Sequence, residues 1–99
     1  MNFVNSLTYI NTIAVTNTST TFADSHAKRV GLYVVNNSNG NLFLRFGDDP
    51  ATTSNYTIRL AAGSTYELPY QYFTGTMMGI WETKSDLAGS AQVTQILDK

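Results

Sequence analysis

Apolar and β-branched residues recur at every second position in this chain, in short runs that end at Asn, Gly, Ser or Pro. A two-residue period is the mark of a half-buried strand, because successive side chains on a strand point to opposite faces. Residues 30–36 make the strongest such run, rich in β-branched and aromatic residues. Residues 42–46 follow after Asn36-Asn37-Ser38-Asn39-Gly40-Asn41. Asn-Gly favours the positive φ angles of a tight turn, so these two strands are expected to form a hairpin. Further runs fall at residues 20–23, 56–60, 65–68, 77–82 and 91–97. From Leu7 onward, Leu7, Tyr9, Ile13 and Val15 alternate with Thr8, Thr12 and Thr16. Ile10 and Asn11 interrupt that pattern, which predicts a bulge or an edge position. Pro69 ends the run before it, since proline cannot donate to a strand ladder.

About seven or eight short strands with closely spaced turns describe an all-β fold, an antiparallel β-sandwich or small barrel. Ninety-nine residues allow one domain. Residues 1–11 are expected to be its first strand or an arm. The inner wall expected from the hairpin is Val30, Leu32 and Val34 beside Leu42, Leu44 and Phe46. Ile58, Leu60, Tyr66 and Leu68 would supply the opposing wall. The reverse side of the hairpin carries Tyr33, Val35 and Phe43, and Met77, Met78, Ile80 and Trp81 repeat this two-sided apolar pattern. A solvated sheet face is normally polar. Either loops of the same chain or another subunit must therefore cover the second face.

Composition narrows the chemistry. The net charge is −1 and only 13% of residues are charged, about half the usual share. Asn, Ser and Thr make up roughly a third of the chain. Such a balance offers no basic patch to neutralise phosphates, so nucleic acid is not an expected partner. No apolar run is long enough to span a bilayer, so no membrane partner is expected either. The first residues lack the basic and apolar regions of a secretory signal, which fits synthesis in a cytoplasm without a signal peptide. With no cysteine, disulfides and thiolate catalysis are excluded.

Catalytic groups are sparse. His26 is the only histidine, and one histidine cannot make a multi-His metal site. Asp24-Ser25-His26 places three triad residue types in a row, but chain neighbours do not face one another as a triad requires. Asp48 and Asp49 sit in a turn-rich segment, where Asp caps turns; cation binding there is the alternative. Glu67 and Glu82 are candidate paired carboxylates for glycoside hydrolysis, although both fall at predicted strand ends. No enzyme activity, cofactor or metal is expected. Arg45 and Arg59 lie on predicted strands away from the core, as surface ion-pair partners or intersubunit contacts. Tyr70, Tyr72 and Phe73 cluster after Pro69 and cap one end of the core, or else offer an aromatic contact patch. Trp81 is expected in the core.

Several segments taken in order carry a family resemblance. They are Arg29-Val30-Gly31-Leu32-Tyr33-Val34-Val35-Asn36-Asn37, Leu42-Phe43-Leu44-Arg45-Phe46-Gly47, Asn55-Tyr56-Thr57-Ile58-Arg59-Leu60-Ala61-Ala62-Gly63, Tyr66-Glu67-Leu68-Pro69, Thr74-Gly75, Gly79-Ile80-Trp81 and Gly89-Ser90-Ala91-Gln92-Val93-Thr94. This order resembles small virion structural proteins of tailed bacteriophages, whose β-domain decorates the capsid or forms part of a fibre. The resemblance implies a non-enzymatic decoration, or cement, protein on the outer capsid surface. Such proteins commonly sit as homotrimers between major capsid proteins and tie them together. Tyr33, Val35, Phe43, Arg45 and Met78 are then the expected subunit contacts. The alternatives are a tail, neck or fibre subunit, or a carbohydrate-binding module that recognises a host receptor through Tyr70, Tyr72 and Phe73.

Overall fold

The alternating runs become eight strands in the computed structural model, which describes residues 7–69 and 72–98. They are β1 (Leu7–Ala14), β2 (Thr20–Ala23), β3 (Arg29–Ser38), β4 (Leu42–Phe46), β5 (Ile58–Leu60), β6 (Thr65–Leu68), β7 (Met77–Trp81) and β8 (Gly89–Leu97). A first sheet has the order β1-β8-β3-β6 and a second the order β2-β7-β4-β5. Every pairing is antiparallel. Among the described residues each sheet ends in two unpaired edge strands, so the two pack as a sandwich and no barrel closes.

The core is the set of inward residues from both sheets. Leu32 and Val34 of β3, Ala91 and Val93 of β8 and Leu68 of β6 come from the first. Leu42 and Leu44 of β4, Met77 and Trp81 of β7, Phe22 of β2 and Leu60 of β5 come from the second. Full burial of a large apolar side chain contributes roughly 1.5–3 kcal/mol. Phe22 packs against Trp81 with ring centroids 5.5 Å apart.

The expected hairpin between β3 and β4 does not form. The two strands lie in different sheets, and residues 39–41 carry the chain across the sandwich. Val30, Leu32 and Val34 therefore belong to the opposite layer from Leu42 and Leu44. Leu60 is paired beside Leu42, and Leu68 beside Leu32, so β5 and β6 extend the two walls instead of building a third. Phe46 is only half buried, stacked on Phe73 at the end of the core.

The reason lies in Asn36, which is fully buried. Its Nδ2 donates to the carbonyls of Gly40 (2.9 Å), Leu60 (2.9 Å) and Ala61 (3.1 Å). Its Oδ1 accepts from Ser38 Oγ (2.6 Å) and Trp81 Nε1 (3.2 Å). Asn39 adds a second tie: Nδ2 donates to the Asp86 carbonyl (2.7 Å), and Oδ1 accepts from the Ala88 N–H (2.8 Å). These bonds hold the segment against the β7–β8 loop and outweigh the local Asn-Gly turn preference. Gly40 is not among the positive-φ glycines of the described residues. Its missing side chain instead admits Leu87, whose Cδ1 would lie 2.6 Å from a Cβ there.

The expectation for β1 also needs correction. Its pairing with β8 runs in unbroken register from Leu7 to Ala14, so there is no bulge at Ile10 and Asn11; the edge position is what the irregular pattern reflects. Nor does the alternation mark a buried face. Leu7, Tyr9 and Ile10 are exposed on both sides of the strand, and only Ile13 and the following Val15 pack against the core. The first six residues of the expected arm lie outside the described residues.

Candidate interaction surface

Tyr33, Val35, Phe43, Arg45 and Met78 do not share a face. Tyr33 and Val35 point outward from the first sheet, whereas Phe43, Arg45 and Met78 point outward from the second. The apolar reverse side expected from the sequence is therefore two surfaces on opposite sides of the sandwich.

The outside of the second sheet is partly covered by the chain itself. Tyr56 meets Phe43 edge-on, with centroids 4.9 Å apart and planes at 67°, leaving Phe43 buried. Arg45 pairs with Asp49 at 3.4 Å and also donates to the Pro50 carbonyl. Met78 Sδ accepts from Thr21 Oγ1 at 3.5 Å. The turn containing Asp48 and Asp49 thus folds back on β4, and Arg59 remains exposed.

The outside of the first sheet is organised differently. Strand register lines up Ile10, Thr94, Tyr33 and Glu67 in one row, and Thr12, Gln92, Val35 and Thr65 in the next. Thr8, Ile96 and Gly31 form a third, in which Ile96 lies over the bare Gly31 backbone. Ile10 is 62% and Val35 37% exposed, with Tyr33 and Ile96 half buried. Glu67 is the one charged side chain in these three rows. The result is a neutral face of aliphatic groups, threonine methyls and hydroxyls. It offers apolar burial together with hydrogen-bonding groups and carries little charge to desolvate.

The other candidates fall apart as chemistry. His26 lies in the loop before β3, where its Nδ1 accepts from the Lys28 N–H at 3.2 Å. Neighbouring Asp24 uses its backbone carbonyl to accept from Arg29. Glu67 is on the outside of the first sheet, while Glu82 follows β7 and accepts the Asn41 N–H at 2.6 Å through Oε2, so the two carboxylates serve different elements. No group of three or more potential metal-ligating side chains occurs among the described residues. Phe73 stacks on Phe46 at 4.7 Å and 12°, which makes it part of the core rim. Tyr72 is 70% exposed, and Tyr70 lies outside the described residues. Trp81 is in the core, its Nε1 also donating to Ser38 Oγ at 3.0 Å.

Sequence reasoning missed Arg29, a fully buried arginine that starts β3. Its guanidinium donates to Gln95 Oε1 (3.0 Å) and to the carbonyls of Gly75 (2.8 Å), Phe73 (3.4 Å) and Asp24. It therefore fastens the loops before β3 and β7 to β8. Burial pulls its pKa below the ordinary arginine value, and the nearby Asp24 carboxylate opposes that shift. A lone arginine at the head of a strand carries no local signal of burial; only its carbonyl partners, far along the chain, reveal it. Tyr66 is displaced upward in pKa by burial, and further by Tyr72.

Comparison with known proteins finds no matching family model, and neither a curated protein nor a solved structure matches the chain.

Proposed function

We propose that this chain is a non-enzymatic structural protein of a bacteriophage particle, a capsid decoration protein that self-associates and bridges major capsid subunits. The observation that supports this reading best is the neutral outer face of the first sheet, with Ile10, Tyr33, Val35 and Ile96 set among threonines. Such a face suits lasting association, because it gains apolar burial without desolvating charge. The second sheet, which engages Phe43 and Arg45 with its own loops, serves as the rigid backing. Many copies on a shell add up weak individual contacts into a firm lattice. The resemblance of the sequence to small virion structural proteins of tailed phages is what suggests a particle as its setting.

The test is the copy number of this chain per purified particle, relative to the major capsid protein, by quantitative mass spectrometry. Hundreds of copies support the decoration role. A few copies, or a few tens, overturn it in favour of a tail, neck or fibre subunit. Absence from the particle removes the virion reading altogether.

A further inference from the structure

Four strands end the two sheets, and three of their edges carry features that discourage pairing. β2 has four residues and a register shift between Thr21 and Ala23. β5 has three residues, with Arg59 at its centre. β6 has four residues, contains Glu67 and runs into Pro69. Short length, a bulge, a charge and a proline are the recognised means by which a sheet edge avoids joining another chain.

The fourth edge, β1, has none of them. It is eight residues long, uncharged, free of proline and regular in register. Leu7 and Tyr9 on its inner side are 40% and 52% exposed. The backbone orientation follows from one bond: the Val15 N–H donates to the Gly89 carbonyl at 3.2 Å, toward β8. Backbone groups alternate sides along a strand. Odd-numbered residues of β1 therefore point to β8, and Thr8, Ile10, Thr12 and Ala14 turn their N–H and C=O groups outward to the free edge.

We propose that this edge pairs with β1 of a second copy of the chain, antiparallel about a two-fold axis normal to the first sheet. The inference rests on the reading of the protein as self-associating, and it names the surface and the symmetry. A two-fold of this kind sets even-numbered residues opposite even-numbered ones, so outward groups meet outward groups and the apolar-and-threonine rows continue from one copy into the next. With no charge on β1, self-pairing sets no like charges opposite each other. A head-to-tail ring would instead require β1 to join the other edge of that sheet among the described residues, β6, which Glu67 and Pro69 guard. The pairing is therefore isologous and closes as a dimer, unlike the trimer implied by the resemblance.

The full chain is examined by light scattering and sedimentation velocity over a concentration series. The wild type is expected to be a dimer. Thr12→Pro deletes an outward N–H and spares every bond to β8, so the monomer keeps its fold by far-UV circular dichroism while the dissociation constant rises about 10–100-fold. Thr12→Lys places like charges across the axis and should act in the same direction. Because the chain has no cysteine, Ile10→Cys, Asn11→Cys and Thr12→Cys report directly, and oxidation should trap a covalent dimer through at least one of them. A trimer or dimer indifferent to both Thr12 variants overturns the edge pairing and leaves self-association standing. A wild type that stays monomeric at tens of micromolar overturns both.

Discussion

Replacing Asn36 with alanine should destabilise the fold more than any other single loss of a polar group around Trp81. The side chain is fully buried and links five partners: three carbonyls through Nδ2, and Ser38 and Trp81 through Oδ1. Most of those partners retain another bond. The Gly40 carbonyl still receives Ser38 Oγ at 3.1 Å, and Trp81 Nε1 still donates to Ser38 Oγ at 3.0 Å. The Ala61 carbonyl still receives the Ser64 N–H at 3.0 Å. The Leu60 carbonyl, on a buried residue paired with Leu42 in the β4–β5 ladder, loses its second donor. Each buried hydrogen bond lost contributes about 0.5–1.5 kcal/mol, and the cavity left by the amide adds about 1 kcal/mol. The total, roughly 3 kcal/mol, is a large fraction of the 5–15 kcal/mol typical of a domain. Trp81→Phe removes one donor whose acceptors, Asn36 Oδ1 and Ser38 Oγ, are already bonded to each other, so it should cost only about 1 kcal/mol beyond its change of shape. Urea unfolding at fixed protein concentration measures both, the concentration being held because self-association adds its own stability. For a slope of about 1–2 kcal/mol/M, Asn36→Ala should lower the midpoint by roughly 1.5–3 M. A shift equivalent to less than ~1 kcal/mol, or a larger loss from Trp81→Phe, would refute the view that Asn36 holds the crossover from β3 to β4.

Two further outcomes follow from local geometry and burial. Gly89 has φ of 115°, and a Cβ there would stand 2.4 Å from the Asn37 carbonyl oxygen and 2.6 Å from Ser38 Cα, both backbone atoms that cannot swing aside. Gly63 also has positive φ, at 79°, but a Cβ would meet nothing within 4 Å. Gly89→Ala should therefore abolish soluble expression or cost more than ~3 kcal/mol, while Gly63→Ala should cost about 1 kcal/mol in a thermal melt. For Tyr66, burial and then Tyr72 raise the phenol pKa above its unfolded value of 10.0. The folded state therefore holds the proton more tightly, and this contribution to stability is complete below pH 10.0 and lost as pH rises through the folded pKa. Ultraviolet titration of the wild type against Tyr66→Phe should show the missing phenol ionising on the alkaline side of ordinary tyrosine, and a titration at or below pH 10 would contradict it.

The placement of strands was legible in the sequence because its cause is local. Residues 30–36 are rich in valine, with Leu32 and Tyr33, and they occupy most of β3 (Arg29–Ser38). Residues 42–46, 65–68 and 20–23 coincide with β4, β6 and β2. Turn residues and proline act within a few positions of themselves, so strand limits and the all-β class can be read from neighbours along the chain. The candidate contacts were legible only as outward-facing residues. Tyr33 and Phe43 both point away from the core, but which sheet each belongs to, and hence that they face opposite ways, depends on partners tens of residues distant.

Tertiary structure decided what local preference could not. Asn39-Gly40 has the chemistry of a hairpin turn, yet the buried bonds from Asn36 to Leu60 and Trp81, 24 and 45 residues away, outweigh it and send the chain into the other sheet. Arg29 has the charge of a surface residue, yet distant loop carbonyls and Gln95 satisfy it inside the protein. β1 alternates like a half-buried strand, yet it lies at a sheet edge where most of its inner side is left uncovered, so neither of its faces is buried. Period and turn chemistry determine where strands form, because they act between neighbours; pairing partners determine which strands meet and which edge stays free, because those contacts exist only once the chain has folded.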